Sequence, residues 1–414
     1  MPNSVHTALP GPVCGVVAEY NPFHRGHAWH LSETRRALGD DSVIVCAMSG
    51  AFVQRGSPAV YGKRPRAEAA LRCGADLVLE LPLPWAMAPA ETFAAGALGL
   101  LRAAGTGALS FGSECGDLGA LRRTAALLAN PAVDARLRAL LRAGEAYAAA
   151  RQRAAEELAG EPLPLLRRPN DILALEYCKA AGPELELLAV PRRGSGHDAP
   201  EGGAFPSAAW LRGRIGAGED VDALLPSEAA AVFARERAAG RGPVTPEALD
   251  PALLSRLRQC SAGDLALAPG VGEGLEHRLL RALEAPSLAE AVARAATRRY
   301  PDARLRRALL SAALGLRKGD SAGPVPYLRV LAANARGRAH LAALRKRCPL
   351  PIVTKAAAGR KLPGAAGRIF SLGARAEDVY VLGCPDPAAR EGGQDWRCGP
   401  VMLETLRETG GSLL

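Results

Sequence analysis

The stretch that decides the fold is residues 15–30, GVVAEYNPFHRGHAWH, in which an apolar run, an Asn-Pro turn and a His-x-Gly-His cluster follow one another. Residues 14–18 are short, apolar and uncharged, which predicts a buried strand; Asn21-Pro22 ends it, and residues 27–38 have helical character. The histidines therefore fall at a strand-to-helix turn. In an open parallel sheet, ligands bind beyond the carboxyl ends of the strands, where the free N–H groups of the next helix favour phosphate.

His24 and His27 add hydrogen-bond donors at this turn, and Gly26 between them lets a triphosphate approach the backbone without a Cβ in the way. The pattern resembles the motif of the HIGH superfamily of nucleotidyltransferases and class I tRNA synthetases, which bind ATP without a P-loop. A surface turn with incidental imidazoles is the alternative that so short a pattern leaves open.

Runs typical of strands alternate with helical patterns in the first half of the chain. Besides residues 14–18, strands are predicted at 42–48, 75–81, 108–111 and 186–190, and helices at 62–73, 90–104 and 117–158, the last as two helices broken at Asn130-Pro131. This βαβ order predicts an α/β fold with a Rossmann-like parallel sheet.

A stretch rich in glycine and acidic residues, 216–222, marks the predicted end of the first domain, which covers residues 13–215. Strand signals almost vanish beyond it, so residues 222–361 are predicted to form a mostly helical domain. Residues 362–414 form a Gly- and Pro-rich C-terminal extension with one predicted strand at 379–382.

Composition indicates a soluble globular protein, because 48% of the 414 residues are apolar, 23% are charged, and no apolar run is long enough to span a bilayer. The first residues lack the basic start and apolar core of a secretory signal. The nine cysteines form no Cys-x-x-Cys pair, so reduced thiols are expected rather than disulfides or zinc ligands. These features predict a cytoplasmic protein without membrane contact.

Positive charge is concentrated in one region. Residues 291–368 contain eighteen Lys or Arg and two acidic residues, Asp302 and Asp320, whereas the rest of the chain has 34 basic and 40 acidic residues. Such a cluster in an otherwise mildly acidic protein predicts a polyanionic partner, most often a nucleic acid. An Arg-rich solvated helix face is the alternative.

Polar loops follow the predicted strands. Residues 48–56, with two glycines, a Gln and an Arg, suit either a loop folded over an anion or an ordinary turn. Gly112 would let an adenine or ribose lie flat against the backbone, and Asn170 is either a nucleotide ligand or a helix N-cap. Arg192 and Arg193 precede a Gly-Ser-Gly turn, and a role in phosphate binding explains these two adjacent arginines better than a role in packing does.

The segments VVAEYNPFHRGHAWHL, MSGAFVQRGSPAV, GADLVLELP, FGSE, RPNDILALEY and PRRGSGHDA, in that order, resemble the bacterial tRNA(Met) cytidine acetate ligase family, which has the HIGH nucleotidyltransferase fold. In the C-terminal half, EGLEHRLLRAL, TRRYPDARLRRALL, PYLRVLAANARG and LPIVTK resemble it too. The resemblance implies an enzyme that uses ATP and acetate to form acetyl-adenylate. It then acetylates the wobble cytidine of elongator tRNA(Met) to N4-acetylcytidine and releases AMP and pyrophosphate. Mg²⁺ is expected with the ATP, without assigned ligands.

The resemblance also assigns roles to residues of this chain, with acetate activation in the first domain and tRNA binding in the second. His24 and His27 are expected to be catalytic. Residues expected to bind ATP are Val17, Ala18, Glu19, Tyr20, Asn21, Pro22, Phe23, His24, Arg25, Gly26, His27, His30, Gly112, Asn170, Arg192 and Arg193. Residues expected to grip tRNA phosphates are Arg298, Arg299, Arg304, Arg306, Arg307, Arg345, Lys346 and Arg347.

Two departures from the family pattern stand out. Arg25 replaces a small polar residue, which would add a cation beside the phosphates. In residues 205–212, FPSAAWLR, the family's threonine is missing, which removes one candidate phosphate donor and leaves Ser207 and Arg212.

The expected reaction needs no covalent nucleophile, so no Ser or Cys is given a catalytic role. Two other functions remain open: a small-molecule adenylyltransferase of cofactor biosynthesis, which leaves the basic region without a role, and a non-catalytic RNA-binding protein on the same fold. No obligate protein partner is evident.

Overall fold

The computed structural model describes residues 11–193, 203–272 and 274–404. Its strands are β1 (Val13–Ala18), β2 (Val43–Ser49), β3 (Phe52–Val53), β4 (Ser57–Pro58), β5 (Leu77–Leu81), β6 (Ala108–Ser113), β7 (Glu186–Pro191), β8 (Leu328–Ala333), β9 (Ile352–Val353) and β10 (Val401–Met402). Eight of them form one sheet in the order β10-β8-β5-β2-β1-β6-β7, with β9 paired to β8. Neighbours are parallel except β5 and β8. β3 and β4 form a separate antiparallel hairpin.

The helices are α1 (Arg25–Leu38), α2 (Lys63–Arg72), α3 (Leu83–Ala86), α4 (Ala90–Ala103), α5 (Leu118–Leu128), α6 (Pro131–Arg142), α7 (Tyr147–Ala159), α8 (Pro169–Ala181), α9 (Ala208–Gly216), α10 (Ser227–Ala238), α11 (Pro246–Leu257), α12 (Ala262–Ala266), α13 (Leu275–Ala282), α14 (Leu288–Ala295), α15 (Asp302–Leu314), α16 (Ala335–Leu344), α17 (Gly364–Tyr380) and α18 (Gln394–Arg397).

Helices cover both faces of the sheet because successive side chains of a strand point to opposite sides. In β2, Ile44 and Cys46 belong to an apolar cluster with residues of α1, α2 and α10. Val43 and Val45 belong to a second cluster with residues of α4, α8 and α16. Helices α11 to α15 share a third cluster with the end of α17.

The predicted fold class is confirmed: a Rossmann-like, mostly parallel sheet with a mostly helical region after residue 222. The five predicted strands correspond to β1, β2, β5, β6 and β7, with each end within two residues of its predicted place. The break at Asn130-Pro131 is also confirmed, since the Asn130 side chain caps α6. Residues 117–158, however, form three helices and not two, because Gly144, with φ +89°, follows the end of α6.

Two expectations about the C-terminal half are wrong. Residues 379–382 do not form a strand: they lie at the end of α17 and in the short 3-10 helix Val381–Gly383. Conversely, β8 lies in a region without predicted strands. Its sequence, LRVLAA, carries a charge at Arg329, yet all six residues are buried because Glu80 and Asp395 neutralise that charge.

The main sheet contains strands from all three predicted parts of the chain. β8 and β9 belong to the predicted second part and β10 to the third, yet they join strands of the first. The division into residues 13–215, 222–361 and 362–414 stays a prediction about separate folding units.

A buried ion cluster attaches the C-terminal segment to the sheet. The Lys63 ammonium at the start of α2 lies 2.9 Å from Glu80 Oε1 in β5, 3.4 Å from Glu377 Oε2 in α17 and 2.5 Å from Asp395 Oδ2 in α18. Arg329 of β8 pairs with Glu80 and Asp395 as well. Each buried charge thus has an opposite partner, which offsets the large cost of removing it from water.

None of the helices in the described ranges is both long and apolar enough to cross a membrane. All nine cysteines are free thiols, as predicted. Burial raises the pKa of the Cys14 and Cys46 thiols to about 12, so both stay protonated and unreactive.

Candidate active site

A cleft of about 380 Å³ opens at the carboxyl ends of β1, β6 and β7. The amino-terminal half of α1 forms its floor, and residues of α8, α9 and the β3–β4 hairpin complete the wall. Its volume falls within the roughly 300–1,000 Å³ typical of small-molecule sites. The cleft is therefore where the strand-to-helix pattern predicted a ligand.

His24 and His27 form a capping box at the start of α1. The Gly26 N–H donates to His24 Nδ1 at 3.0 Å, and the His24 N–H donates to His27 Nδ1 at 3.2 Å. Because each Nδ1 accepts, each neutral ring carries its proton on Nε2. The two rings stack with their centroids 3.7 Å apart, and both residues line the cleft. The helix cap thereby fixes two imidazole N–H donors at the site.

All three histidines of this turn are neutral near pH 7. Burial, with a contribution from the Arg192 cation, lowers the pKa of His24 to about 3 and that of His30 to about 4. Burial and the neighbouring His24 lower the pKa of His27 well below its usual value. The histidines can thus attract an anion only as hydrogen-bond donors, and the positive charge of the cleft comes from arginines.

One pair of these arginines follows β7. Arg192 donates to Asn170 Oδ1 at 3.3 Å, and the Asn170 amide donates to Glu114 Oε1 at 2.5 Å. Arg193 stacks on the indole of Trp29, with its guanidinium carbon 3.5 Å from the ring centroid. Asn170 is the second residue of α8, after Arg168 at the N-cap position, so Asn170 does not cap this helix.

A second pair lies across the cleft. Arg212 of α9 donates to the Asn21 carbonyl oxygen at 2.8 Å. Arg55, at the tip of the β3–β4 hairpin, is exposed and lines the cleft. Asn21 and Trp29 also line the cleft, and the buried Asn21 amide nitrogen and Trp29 indole N–H have no hydrogen-bond acceptor among the described residues. The wall is therefore rich in donors and cations, as a phosphate site requires.

The end of β1 is held in place by the buried guanidinium of Arg66, which is 0% exposed. It donates to the carbonyl oxygens of Glu19, Gly50 and Ser49, and to that of Tyr61 at 2.9 Å. The Gln54 N–H donates to Glu19 Oε1 at 2.9 Å, so the hairpin is attached to the same residue.

Most of the predicted ATP-binding residues come together at this cleft. Those that line it are Val17, Ala18, Glu19, Tyr20, Asn21, His24, Gly26, His27, His30, Gly112, Asn170, Arg192 and Arg193. Pro22 and Phe23 are buried beneath it, with the Phe23 ring 4.8 Å from that of Tyr20. Arg25 donates to the Ala223 carbonyl oxygen at 2.7 Å and is absent from the cleft wall.

Three aromatic cleft residues were not named individually as ATP-binding residues. The cleft has aromatic surface from Phe93 of α4, Tyr177 of α8 and Trp29 of α1. Of these, only Trp29 could be expected at the cleft from the sequence, because it lies on the same predicted helix as the histidines. In segment 205–212, which differs from the family pattern, the Ser207 hydroxyl accepts a hydrogen bond from the Trp210 N–H and caps α9. The residues that follow Arg193 in its Gly-Ser-Gly turn, 194–198, lie outside the described residues.

The predicted tRNA-binding residues fall into two separate groups. Arg298 and Arg299 precede α15, and Arg304, Arg306 and Arg307 lie on it. Arg307 donates to the Gln54 carbonyl oxygen at 3.3 Å, which places this group beside the cleft hairpin. Arg345, Lys346 and Arg347 instead follow α16. The last residue of α16 packs near Gly105, in the loop before the amino end of β6, whereas the cleft lies at the carboxyl end of that strand.

The described residues contain no group of three His, Cys, Asp or Glu side chains that could hold a metal ion. Among the described cleft residues, Glu19 is the only carboxylate. The side chains present therefore do not make a metal cage of their own.

Comparisons with known proteins agree with this geometry. Residues 12–395 match the model of the HIGH Nucleotidyl Transferase family. The tRNA(Met) cytidine acetate ligase of Syntrophotalea carbinolica is 43% identical over 361 residues, which cover 82% of this chain and 84% of that protein. That of Syntrophomonas wolfei is 36% identical over 413 residues, which cover 94% and 99%.

The fold also matches solved structures. The crystal structure of Thermotoga maritima TmcAL bound with alpha-thio ATP has a TM-score of 0.88 and 32% identity, covering 95% of this chain and 100% of that chain. The apo form of the same protein has a TM-score of 0.89. Because sequence and fold agree over nearly the whole chain, this chain belongs to the HIGH nucleotidyltransferase family and, within it, to the tRNA(Met) cytidine acetate ligases.

Proposed function

We propose that this protein uses ATP and acetate to acetylate the exocyclic amine of the wobble cytidine in elongator tRNA(Met), with acetyl-adenylate as the intermediate. The observation that carries the proposal is the donor-lined cleft on a chain that matches tRNA(Met) cytidine acetate ligases over most of its length. The ATP analogue bound to the Thermotoga maritima protein supports a nucleotide in the corresponding cleft.

ATP binds with its phosphates at the start of α1. The neutral rings of His24 and His27 donate from Nε2, and Arg192 supplies positive charge beside them. Gly112 gives the base or ribose an approach to the backbone that a side chain would obstruct. This arrangement stabilises negative charge with donors that are already oriented before the reaction, which is the main electrostatic requirement of the step.

In the first step, an acetate oxygen attacks the α-phosphorus and pyrophosphate leaves. Both reactants are anions, so the arginines must offset their repulsion and the charge that grows on the leaving group. Mg²⁺ bound to phosphate oxygens and water would withdraw further charge from the pyrophosphate. In the second step, the cytidine amine attacks the acetyl carbonyl and AMP leaves. The wobble base can reach the cleft at modest cost because it lies in a single-stranded loop.

The basic group on and before α15 is the part of the predicted tRNA surface that lies beside the cleft, through its contact with the hairpin. We therefore assign the anticodon arm to this side. The group at Arg345–Arg347 would have to contact a distant part of the tRNA.

The test is incubation of the purified protein with tRNA(Met) transcript, ATP and isotope-labelled acetate, followed by mass analysis of the nucleosides. The expected products are N4-acetylcytidine in the tRNA, AMP and pyrophosphate. Formation of a dinucleotide from ATP and nicotinamide mononucleotide would instead identify a cofactor adenylyltransferase. Tight tRNA binding without acetate-dependent pyrophosphate release would identify an RNA-binding protein.

A further inference from the structure

Glu19 is the exception in a cleft built for anions. Among the described residues, the wall holds four arginines, three histidines and the amide of Asn21, but no other carboxylate. A carboxylate repels phosphate, so its presence beside a triphosphate needs a separate reason.

The structure fixes this carboxylate firmly. The Gln54 N–H binds Oε1 at 2.9 Å, and Arg66 holds the carbonyl oxygen of the same residue. The next residue, Tyr20, has a φ of +48°, which is strained for a large side chain and persists only where the surroundings enforce it. Such strain is typical of functional sites.

One oxygen of Glu19 is left for a ligand. No described residue donates a hydrogen bond to Oε2, while Oε1 is occupied by the hairpin. Because Glu19 lines the cleft, Oε2 is the acceptor available to a donor group that enters it.

Of the groups whose bonds change in the proposed reaction, only the cytidine amine is a donor; the adenine amine and ribose hydroxyls of ATP also donate but do not react. ATP phosphates and acetate present acceptors, whereas the exocyclic N4 of cytosine presents N–H groups, and a Glu or Asp carboxylate is the side chain that pairs with it. This amine is also a weak nucleophile that must lose a proton as it attacks.

We propose that Glu19 binds the N4 amine of the target cytidine through Oε2 and accepts a proton from it during acetyl transfer. The inference rests on the proposed function. A bond forms between N4 and the acetyl carbon, the bond between that carbon and the AMP phosphate oxygen breaks, and its electron pair leaves with AMP. The proton goes from N4 to Glu19 and then to solvent. A general base within hydrogen-bond reach of the attacking group accelerates such a step by about 10²- to 10⁴-fold.

The test separates the two half-reactions in the full-length protein. Adenylation is measured as acetate-dependent exchange of labelled pyrophosphate into ATP without tRNA, and transfer as a single turnover with tRNA(Met). In Glu19→Gln, the transfer rate is expected to fall by about 10²-fold or more, a larger factor than any fall in the exchange rate. Glu19→Asp should recover part of the transfer rate, because it restores a carboxylate.

Asn170→Ala is the matched control. It removes a cleft side chain that is expected to bind ATP, so it should weaken exchange through a higher ATP requirement, and by a larger factor than it slows transfer from preformed acetyl-adenylate. Urea unfolding of each variant confirms that it is folded.

The alternatives have distinct results. An equal fall of exchange and transfer in Glu19→Gln would place Glu19 in adenylation or at a metal ion and overturn the inference, as would an unchanged transfer rate. If the wild-type protein catalyses exchange but acetylates no tRNA, the proposed function itself is wrong.

Discussion

The neutral state of His24 in the folded chain makes its stability sensitive to acid. The side chain is 4% exposed, and burial lowers its pKa to about 3, whereas an unfolded histidine titrates near 6.5. Between these values the unfolded chain binds a proton that the folded chain does not. The stability that His24 contributes is therefore present above pH 6.5 and is lost as the pH falls toward 3.

The size of the effect follows from the pKa difference. At pH 5 the solution lies about 1.5 units below the unfolded pKa and still above the folded one, so His24 alone lowers the free energy of unfolding by about 2 kcal/mol relative to pH 7. We expect His24→Asn to remove this loss, because Asn is a good N-cap that can still accept the Gly26 N–H but does not titrate.

Urea unfolding of wild type and His24→Asn at pH 7 and pH 5 measures the difference. The drop between the two pH values should be about 2 kcal/mol smaller in the variant. Ser207→Ala is the matched control: it removes a cap at α9 in the same cleft, so it should cost about 1 kcal/mol at both pH values and keep the wild-type drop. Equal drops in wild type and His24→Asn would refute the assignment of a neutral, buried His24.

Three further changes test other parts of the molecule. Arg192→Met should raise the Kd for ATP roughly 10- to 150-fold in calorimetric titration, because a charged hydrogen bond to phosphate is lost; an unchanged Kd would place the phosphates elsewhere. Lys63→Met should lower the free energy of unfolding in urea by about 3–5 kcal/mol, since buried carboxylates lose their cation; a neutral result would mean that the cluster is solvated. Arg298→Ala should reduce the slope of log K for tRNA against log salt by about 0.7–0.9, and an unchanged slope would remove that residue from the interface.

The first half of the fold could be predicted because its signals are local. β1 and α1 are specified by an apolar run, an Asn-Pro turn and a helical period within one stretch of the sequence. β8 was not predicted because its burial depends on residues that are distant in the sequence. From the sequence alone Arg329 indicates a solvent-exposed position, whereas in the fold Glu80 and Asp395 neutralise its charge.

The same distinction applies to the site. His24, Gly112, Asn170 and Arg192 could be placed together because the carboxyl ends of parallel strands converge at one edge of a sheet. Arg66 could not, since the basic run KRPR at the start of α2 reads as a solvated helix end. Only the fold shows that this guanidinium is buried among carbonyl oxygens of three loops.

The antiparallel pairing of β8 with β5 also has a consequence for synthesis of the chain. β5 ends at Leu81, and its partner on that side begins only at Leu328. While the ribosome makes the residues between them, the apolar edge of β5 has no strand to cover it, and an uncovered edge of this kind promotes aggregation. A nascent chain released before Leu328 would therefore keep its nucleotide-binding motif but expose the unpaired edge of β5. We expect such fragments to need chaperones.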